Sequence, residues 1–586
     1  MVNFKINNIP MQAEEGMTIL EAAKANGVEI PSLCYLKEIN EIGACRVCCV
    51  EIEGENKLVP SCNNKVEEGM SIFTNSPRVK VARRRNLELL LSQHDTNCAV
   101  CVRNGKCRLQ KLAKEQNIYD TYFKKDIPSK KQREWPSEFP LIRDAGKCIK
   151  CMRCVQVCDK IQSLNIWDLA GTGSRTRVDT SKNKMIAESD CSLCGQCIIN
   201  CPVGALYGRE DTMKVARALR DPNKTVVAQI APAVRTAWAE NAGLDPEKTS
   251  VNHLAAALKQ LGFDYVYDTS FSADLTIMEE GSEFIQRLTS GDISEYPMFT
   301  SCCPGWVRFL KGQFPELTGR LSTAKSPQQM FGAVAKSYLA EALGKQPEEI
   351  VCVSIMPCTA KKAECDLPTM KTNGVQEVDF SLTTREIVRM IASDSISLDL
   401  IEPVEFDNIL KDYTGAGVIF GATGGVMEAA LRSAYYLVTK ENPHPDAFKD
   451  VREHVRGENH WREATFDIQG TPVRVAVTSG LNNARELCKA LINKEVAYDF
   501  VEVMACPGGC VNGGGQTIDI NGSPNVEVRN RELYRLDNEL DVRYSHENKD
   551  VLRLYETYLG EPCGHRAHEL LHTDHFGWDM PSQKDK

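Results

Sequence analysis

The sequence lacks the features that mark membrane-spanning, exported and nucleic-acid-binding proteins. No apolar stretch reaches the ~18 residues that a membrane-spanning helix needs. The first residues contain neither the apolar core nor the cleavage site of a signal peptide. The formal net charge is -9, so there is no overall basic surface to attract nucleic acid. We therefore expect a cytoplasmic protein without a membrane span or a nucleic-acid partner.

The sequence also contains no convincing glycine-rich nucleotide-binding motif. The 586 residues predict about four domains. Hydrophobic residues make up 42% and charged residues 25% of the chain, which is typical of globular proteins. The short basic run Arg83–Arg85 is expected to form a solvated helix face.

Cysteine is the residue in excess, with 25 copies. In a small secreted protein this would indicate disulfides, whereas in a large chain without an export signal it indicates metal or redox chemistry. Most of the cysteines precede residue 202, and many form Cys-x2-Cys units. Disulfides have no preference for such tight spacing, so the pattern favours metal sites or iron–sulfur clusters.

Residues 1–78 combine short strands, a helix near Ile19–Asn26 and a cysteine loop. The predicted ligands in this loop are Cys34, Cys45, Cys48 and Cys62. With these cysteines the segment resembles the 2Fe–2S domain at the start of multi-cluster dehydrogenases and hydrogenases, which is a β-grasp fold. Zinc is the alternative occupant of the same four thiols, and Cys49 is predicted to be structural.

Residues 79–120 form a second unit, in which a helix over Val79–Gln93 leads to an H-x3-C-x2-C-x5-C pattern. One imidazole and three thiols suit a tetrahedral zinc ion. The position between two iron–sulfur regions favours instead a 4Fe–4S cluster with one histidine ligand. Its predicted ligands are His94, Cys98, Cys101 and Cys107. The lysine- and proline-rich residues 121–140 read as a connector.

Residues 141–210 contain the bacterial-ferredoxin pattern C-x2-C-x2-C-x3-C twice, although Asp159 replaces the usual proline in the first copy. In such repeats the fourth cysteine of each run ligates the other cluster. We therefore predict two 4Fe–4S clusters in a ferredoxin-like domain. One would be held by Cys148, Cys151, Cys154 and Cys201, and the other by Cys191, Cys194, Cys197 and Cys158.

From residue 211 to 586 short apolar runs alternate with helical patterns, which predicts an α/β domain with mainly parallel sheets. The predicted strands are Val226–Ile230, Tyr265–Tyr267, Met298–Thr300, Val351–Ile355, Val418–Phe420, Val473–Val477 and Phe500–Met504. Cysteines follow three of these strands directly, where α/β sheets bind ligands. This arrangement predicts one buried, sulfur-ligated metal cofactor.

Three segments around these cysteines resemble the H-cluster motifs of iron-only (FeFe) hydrogenases: Thr300–Trp306, Met356–Glu364 and Met504–Gly513. The upstream cluster motifs match the long clostridial-type form in the same order. The resemblance implies reversible H2 oxidation at an H-cluster, which is a 4Fe–4S subcluster joined to a diiron unit with CO, cyanide and an azadithiolate bridge. The implied ligands are Cys303, Cys358, Cys506 and Cys510, the last of which would bridge the two parts.

The resemblance also assigns roles to residues that are not ligands. Cys302 would exchange protons with the bridge, and the protons would continue through Glu280, Ser322 and Glu283. Lys361 would donate to a cyanide, and Ala233 stands where a well-known member has serine. Further residues would line the diiron pocket: Pro232, Ser301, Ser326, Gln328, Met356, Phe420 and Met504.

Two other functions fit parts of the pattern. The chain could be an iron–sulfur assembly or electron-transfer protein on the same scaffold, or a hydrogen sensor. Cys302, Lys361 and Cys510 together favour the enzyme. Without the resemblance, Glu280 and Glu283 would be read as a solvated helix face.

Electrons are expected to pass between the H-cluster and ferredoxin or an NAD(P)-binding flavoprotein subunit, and maturation proteins are expected to supply the diiron unit. The tail carries a possible zinc-binding set near one helix face, formed by Cys563, His565, His568, His572 and His575. The remaining cysteines, Cys352, Cys365, Cys488 and Cys563, match no cluster ligand and are predicted to be structural.

Overall fold

The computed structural model describes residues 1–125, 135–245, 249–452, 460–519 and 525–584. The middle of the predicted connector at 121–140 lies outside these residues. The chain is a multidomain α/β protein that contains both mixed and parallel sheets. In the described part, none of the helices has the length and apolar character needed to cross a membrane.

The N-terminal unit is a five-stranded mixed sheet with one helix on it, as expected for a β-grasp fold. The strand order is β2 (Ile9–Ala13), β1 (Val2–Ile6), β5 (Ser71–Phe73), β3 (Cys49–Ile52) and β4 (Val59–Pro60), and β1 pairs in parallel with β5. The Thr18 hydroxyl and Glu21 form a capping box that starts helix α1 (Ile19–Ala25). The elements up to residue 120 are β1 Val2–Ile6, β2 Ile9–Ala13, α1 Ile19–Ala25, β3 Cys49–Ile52, β4 Val59–Pro60, β5 Ser71–Phe73, α2 Pro77–Ser92 and α3 Arg108–Glu115.

The predicted solvated basic face on α2 is wrong for Arg83. This side chain is 7% exposed and donates to the carbonyl oxygens of Val47 at 3.0 Å and Thr74 at 3.2 Å. Arg84 and Arg85 instead pair with Glu88 on the same helix. Because a buried guanidinium must satisfy its donors, Arg83 fastens α2 to the cysteine loop of the first unit.

The ferredoxin-like segment repeats a short loop-and-helix unit. Met152 and Gly195 occupy equivalent positions after the second cysteine of each repeat, and both adopt left-handed φ angles, of 64° and 70°. Each residue starts a short helix that carries the third cysteine. The elements are β6 Leu141–Arg143, α4 Arg153–Gln156, β7 Trp167–Ala170, β8 Arg177–Thr180, α5 Gln196–Ile199 and β9 Leu206–Gly208.

The large C-terminal region contains two four-stranded sheets. One has the order β11 (Tyr265–Asp268), β10 (Thr225–Ile230), β13 (Ile350–Met356) and β16 (Phe380–Thr383), and it is parallel throughout. The other has the order β12 (Met298–Phe299), β19 (Phe500–Met504), β18 (Thr471–Ser479) and β17 (Arg462–Ile468), and it is parallel except for the β17–β18 hairpin. Every residue of β10, β13 and β19 is buried, because helices cover both faces of such sheets.

The elements of this region from residue 212 to 383 are α6 Thr212–Ala218, β10 Thr225–Ile230, α7 Trp238–Ala242, α8 Val251–Leu261, β11 Tyr265–Asp268, α9 Thr269–Ser290, β12 Met298–Phe299, α10 Pro304–Gln313, α11 Pro327–Val334, α12 Ala340–Ala342, β13 Ile350–Met356, α13 Ala360–Cys365, β14 Lys371–Thr372, β15 Val375–Gln376 and β16 Phe380–Thr383. Those that follow are α14 Thr384–Ser393, α15 Gly415–Val418, α16 Gly425–Thr439, β17 Arg462–Ile468, β18 Thr471–Ser479, α17 Leu481–Ile492, β19 Phe500–Met504, α18 Val526–Glu539, α19 Lys549–Leu554 and α20 His565–Leu571. Strands and helices are interspersed along this region, as the sequence predicts.

The predicted strand Val418–Phe420 is wrong. The segment is the end of α15 followed by a 3-10 turn, Ile419–Gly421. A short apolar run does not distinguish a buried helix from a strand. Gly417 allows α15 to lie against α9, because a Cβ at this position would be 2.4 Å from the Ser270 carbonyl oxygen.

Candidate functional site

The four predicted 2Fe–2S ligands converge on one point in the N-terminal unit. All four cysteines are buried, and the Cys34 backbone turns so that its Sγ accepts the Cys45 amide at 3.5 Å. The Cys34 thiol contacts the thiols of Cys45 and Cys62, and Cys62 also contacts Cys48. Cys49 is buried beside Arg83 and has no such thiol contact. The geometry therefore distinguishes Cys48 from its neighbour.

His94 is buried with one ring nitrogen already engaged. Its Nδ1 lies 3.0 Å from the Lys147 carbonyl oxygen, so Nδ1 is the natural N–H and Nε2 remains available as a ligand. Burial lowers the pKa of His94, which favours the neutral imidazole that metals bind. A Cβ at Gly204 would lie 2.5 Å from Cys101 Sγ, so this thiol packs directly against the ferredoxin-like segment.

The ferredoxin-like segment contains two separate cysteine-lined cavities. Each is lined by three cysteines of one repeat and by the fourth cysteine of the other repeat. One is lined by Cys148, Cys151, Cys154 and Cys201, and the other by Cys158, Cys191, Cys194 and Cys197. This crossed arrangement has the grouping of thiols that two 4Fe–4S clusters require.

Direct hydrogen bonds join these sites to one another. The buried amide of Asn40 donates to the carbonyl oxygens of Cys34 at 2.7 Å and Cys151 at 2.9 Å. The Arg153 guanidinium donates to the carbonyl oxygens of Cys34 and Tyr35. The first cysteine loop is therefore in contact with the cavity that Cys201 completes, and His94 reaches the same cavity through Lys147, the neighbour of Cys148.

The second cavity borders the C-terminal region. The Thr359 hydroxyl donates to the Leu193 carbonyl oxygen at 2.6 Å, and Cys506 Sγ lies 3.8 Å from the Cys194 carbonyl oxygen. A Cβ at Gly195 would lie 2.6 Å from the Cα of Gly514. Two glycines are therefore needed here to bring the two cysteine loops into contact.

The four predicted H-cluster ligands come from three loops, each of which follows a strand. Cys303 follows β12, Cys358 follows β13, and Cys506 and Cys510 follow β19. Burial raises the pKa values of Cys358, Cys506 and Cys510, and the neighbouring cysteine thiols raise them further. A Cβ at Gly513 would lie 2.1 Å from the Pro357 carbonyl oxygen. All 25 cysteines are free thiols, so these four are available to a 4Fe–4S unit.

Cys302 and Glu280 form a pair beside these ligands. Both are buried, and burial followed by the Glu280 carboxylate raises the pKa of Cys302 well above its usual value. Burial raises the pKa of Glu280 to about 8, with a further contribution from Glu283. Glu280 Oε1 accepts the Ser301 amide at 3.3 Å. Its Oε2 has no hydrogen-bond partner among the described residues, which fits a group that faces a bound cofactor or water.

Ser322 joins Glu280 to a second carboxylate. Its hydroxyl donates to Glu283 Oε2 at 2.7 Å and lies close enough to Glu280 to lower the pKa of that carboxyl, against the larger effect of burial. Glu283 is ion-paired with Arg287 at 2.6 Å, and Arg287 is partly exposed. The alternative of a solvated face is therefore wrong for both residues, because Glu280 is fully buried and Glu283 is 7% exposed. Glu283 is nearer to solvent, since its partner Arg287 is partly exposed.

Lys361 has an acidic partner that the sequence reasoning missed. Its Nζ donates to Glu364 Oε2 at 2.9 Å and to the Cys302 carbonyl oxygen at 3.2 Å. Burial is the largest single effect and lowers the pKa of Lys361, but Glu364 together with the thiols of Cys358 and Cys302 outweighs it, so the net shift is upward. Ser326 and Gln328 donate to the same Glu364 oxygen, each at 3.0 Å. These predicted pocket residues therefore meet at one carboxylate.

The other predicted pocket residues are distributed more widely. Phe420 and Met504 pack in one cluster with Cys302, whereas Met356 packs in the core around the all-parallel sheet. Ser301 donates to the Ala324 carbonyl oxygen at 2.6 Å. Pro232 starts a buried 3-10 turn directly after β10, and the adjacent Ala233 faces Gly421.

Comparison with known proteins assigns a family to each part of the chain. Residues 224–514 match the iron-only hydrogenase large subunit, C-terminal domain, and residues 524–578 match the iron hydrogenase small subunit. The three N-terminal matches are a 2Fe–2S iron–sulfur cluster binding domain over 1–77, an NADH-ubiquinone oxidoreductase-G iron–sulfur binding region over 83–121 and a 4Fe–4S dicluster domain over 147–205.

One similar protein is the NADP-reducing hydrogenase subunit HndD of Solidesulfovibrio fructosivorans, which is 43% identical over 98% of this chain and 99% of its own length. The chain belongs to the iron-only (FeFe) hydrogenase family. Iron hydrogenase 1 of Clostridium pasteurianum is 40% identical over 97% of this chain and 98% of its own length.

Among solved structures, apo [FeFe]-hydrogenase HydA1 from Chlamydomonas reinhardtii has a TM-score of 0.56 and 41% sequence identity, and the match covers 64% of this chain and 99% of that one. This FeFe hydrogenase therefore catalyses H2 oxidation or production, with an accessory iron–sulfur relay. The predicted family, activity and fold class are confirmed.

Proposed function

We propose that this hydrogenase holds the 4Fe–4S part of its H-cluster on Cys303, Cys358, Cys506 and Cys510. The observation that carries the proposal is the meeting of these thiols at the carboxyl ends of strands from two sheets. When bound, the diiron unit supplies a metal Lewis acid and a bridge amine that together split H2 heterolytically. The chain contributes a dry, buried pocket and fixed hydrogen-bond donors, among them Lys361 for a cyanide.

Proton movement is proposed to follow Cys302, Glu280, Ser322 and Glu283. Two observations support this order: the hydrogen bond of Ser322 to Glu283 and the raised pKa of Glu280. A carboxyl whose pKa is near 8 exchanges its proton readily at neutral pH. Arg287 and Thr323, which contact Glu283, lie at the outer end of this chain of groups.

We further propose one 2Fe–2S cluster, three accessory 4Fe–4S clusters and a forked electron path. The Asn40 bridge joins the first cysteine loop to the cavity lined by Cys148. The His94–Lys147 contact joins the His94 site to the same cavity. Electrons would then enter at the 2Fe–2S site or at the His94 site, and both paths would meet at the cavity lined by Cys148. From there they would continue to the cavity lined by Cys194, which borders Cys506.

The proposed electron partner is an NAD(P)-binding flavoprotein subunit, with ferredoxin as the second candidate. The similarity to an NADP-reducing hydrogenase subunit supports the first, and two separate entry sites would allow both. We also propose a cytoplasmic location and dependence on maturation proteins. The boundaries at residues 78, 120, 140 and 210 stay predictions.

Infrared spectroscopy of anaerobically matured protein, paired with an H2 oxidation assay, tests the central proposal. We expect CO and cyanide stretching bands together with H2-dependent reduction of a dye. Replacement of Cys358 by alanine should remove both, because it deletes a ligand. Bands that persist in that variant would contradict the proposed ligand set. Purification from native cells, with identification of the bound subunits, tests the partner.

A further inference from the structure

A second potential metal site lies behind the proton-path helix. Glu279 precedes Glu280 on α9 and is fully buried, and its carboxylate points to the tail rather than to the H-cluster site. Cys563 Sγ, His572 Nε2 and a Glu279 oxygen all lie within 4.8 Å of one another. From these three groups, we propose that the hydrogenase binds one Zn2+ ion at Glu279, Cys563 and His572.

The donor set matches the chemistry of zinc. One thiolate, one carboxylate and one neutral imidazole give a neutral complex with a divalent cation. Bonds of about 2.0–2.3 Å in a tetrahedron put ligand atoms about 3.3–3.8 Å apart. Glu279 Oε2 and His572 Nε2 are 2.9 Å apart, and Cys563 Sγ is within 4.8 Å of both, so small shifts of side chains would complete the site.

Surrounding hydrogen bonds hold two of the ligands in position. The Tyr555 hydroxyl donates to Glu279 Oε1, which leaves Oε2 directed at His572. The Thr323 hydroxyl lies 2.7 Å from His572 Nδ1, so Nε2 is the ring nitrogen that faces the ligand set. Such outer contacts are typical of histidine ligands. Cys563 is partly exposed, which leaves the fourth position to water.

The spacing of the tail histidines predicts that they lie near one helix face, but it does not identify the set of Glu279, Cys563 and His572. His565 is exposed, and His575 reaches the Ser322 carbonyl oxygen at 2.8 Å instead. His568 stacks on the His572 ring, with centroids 4.6 Å apart. Only His572 meets Cys563, and the third ligand comes from α9, almost 300 residues away in the chain.

Metal binding would reverse the direction of the hydrogen bond between His572 and Thr323, which leads to the proton path. This part of the inference rests on the proposed function. Without metal, His572 Nε2–H can donate to Glu279, and Nδ1 then accepts the Thr323 hydroxyl proton. With Zn2+ on Nε2, Nδ1 carries the proton and donates to Thr323. The Thr323 hydroxyl is then free to donate to Glu283 Oε1, 3.2 Å away. This additional donor would make Glu283 a weaker proton acceptor and slow turnover.

The test uses fully matured, cluster-loaded enzyme incubated with Zn2+ and then freed of excess metal. We expect one zinc per chain, with Zn–S scattering at about 2.3 Å in X-ray absorption spectra. Cys563→Ser should lose the sulfur scatterer and the tightly held zinc. Cys488→Ser, which changes a buried thiol on α17, should retain both. Iron content and the CO and cyanide bands establish that each variant is folded and loaded.

Absence of bound zinc in the unmodified enzyme, or equal zinc and sulfur scattering in Cys563→Ser, would overturn the metal site. Turnover provides a separate measurement. Zinc should slow H2 production in the unmodified enzyme and in Cys488→Ser, but not in Cys563→Ser. Zinc that binds with unchanged turnover would overturn the coupling to Glu283 while supporting the site. A failure of the hydrogenase proposal itself would appear as missing CO and cyanide bands before zinc is added.

Discussion

The relay region before residue 210 and the catalytic region after it build their metal sites in opposite ways. In the relay region, most predicted ligands of a site lie within one loop, as with Cys98, Cys101 and Cys107. In the catalytic region, the proposed ligands follow strands of two different sheets, and Glu280 comes from α9, which lies between strands of the two sheets in the chain. The comparison teaches that short-range spacing supplies most of the predicted ligands of an electron carrier, whereas the catalytic pocket depends on the complete fold.

Cys302→Ala should have the largest effect, because it removes the thiol next to the predicted diiron pocket. We expect turnover to fall by ~10²-fold or more, with the CO and cyanide bands retained. Cys352→Ala, a buried thiol in β13, is the matched control and should keep most of its activity. Full activity in Cys302→Ala would show that the catalytic region does not depend on this proton carrier.

Glu280→Gln should lower turnover by ~10²-fold, because an amide cannot carry the proton. Since the folded pKa of Glu280 is raised to about 8, its carboxyl is protonated at neutral pH and loses the proton as the pH rises through 8. Infrared difference spectra should contain a protonated-carboxyl band at pH 7 that is absent from Glu280→Gln. Asp274→Asn, on the same helix but outside the proton path, is the control. The band persisting in Glu280→Gln would refute the assignment.

Cys201→Ala should damage one relay site and leave the catalytic region intact. We expect loss of the cluster at Cys148, Cys151 and Cys154, seen as lower iron content and one missing reduced-cluster signal in electron paramagnetic resonance. The CO and cyanide bands should not change. Cys158→Ala should remove the other cluster instead. If Cys201→Ala removed the cluster at Cys191, the crossed ligand assignment would be wrong.

Asn40→Ala should have the smallest effect, because it removes one buried hydrogen bond between domains, to Cys151, and one within the first domain, to Cys34, but no ligand. At about 0.5–1.5 kcal/mol for each bond, the first domain should lose about 1–3 kcal/mol of stability in total. Faster hydrogen exchange in residues 1–78, with unchanged iron content, measures this loss. The exposed Asn56→Ala is the control. Equal exchange in both variants would mean that Asn40 does not couple the domains.

The shared cavity of Cys148, Cys151 and Cys154 was predictable from their close spacing, and β13 and β19 were predictable from their apolar runs. Three features were not. Arg83 was read from local charge, although it is buried and donates to the carbonyl oxygens of Val47, Cys49 and Thr74. Val418–Phe420 is apolar in either a helix or a strand, and only the packing of α15 on α9 decides. Glu279 and Glu364 lie beside residues of interest but have no motif, so their partners appear only in three dimensions.

The parallel pairing of β12 with β19 joins Met298 to Phe500, and this has a consequence for synthesis of the chain. A ribosome releases the relay cysteines long before residue 500, so the first domains can acquire their clusters while the chain is still growing. The catalytic pocket closes only when β19 inserts between β12 and β18, after about five-sixths of the polypeptide has been made. A chain truncated shortly before Phe500 would therefore be an iron–sulfur protein without a hydrogenase site.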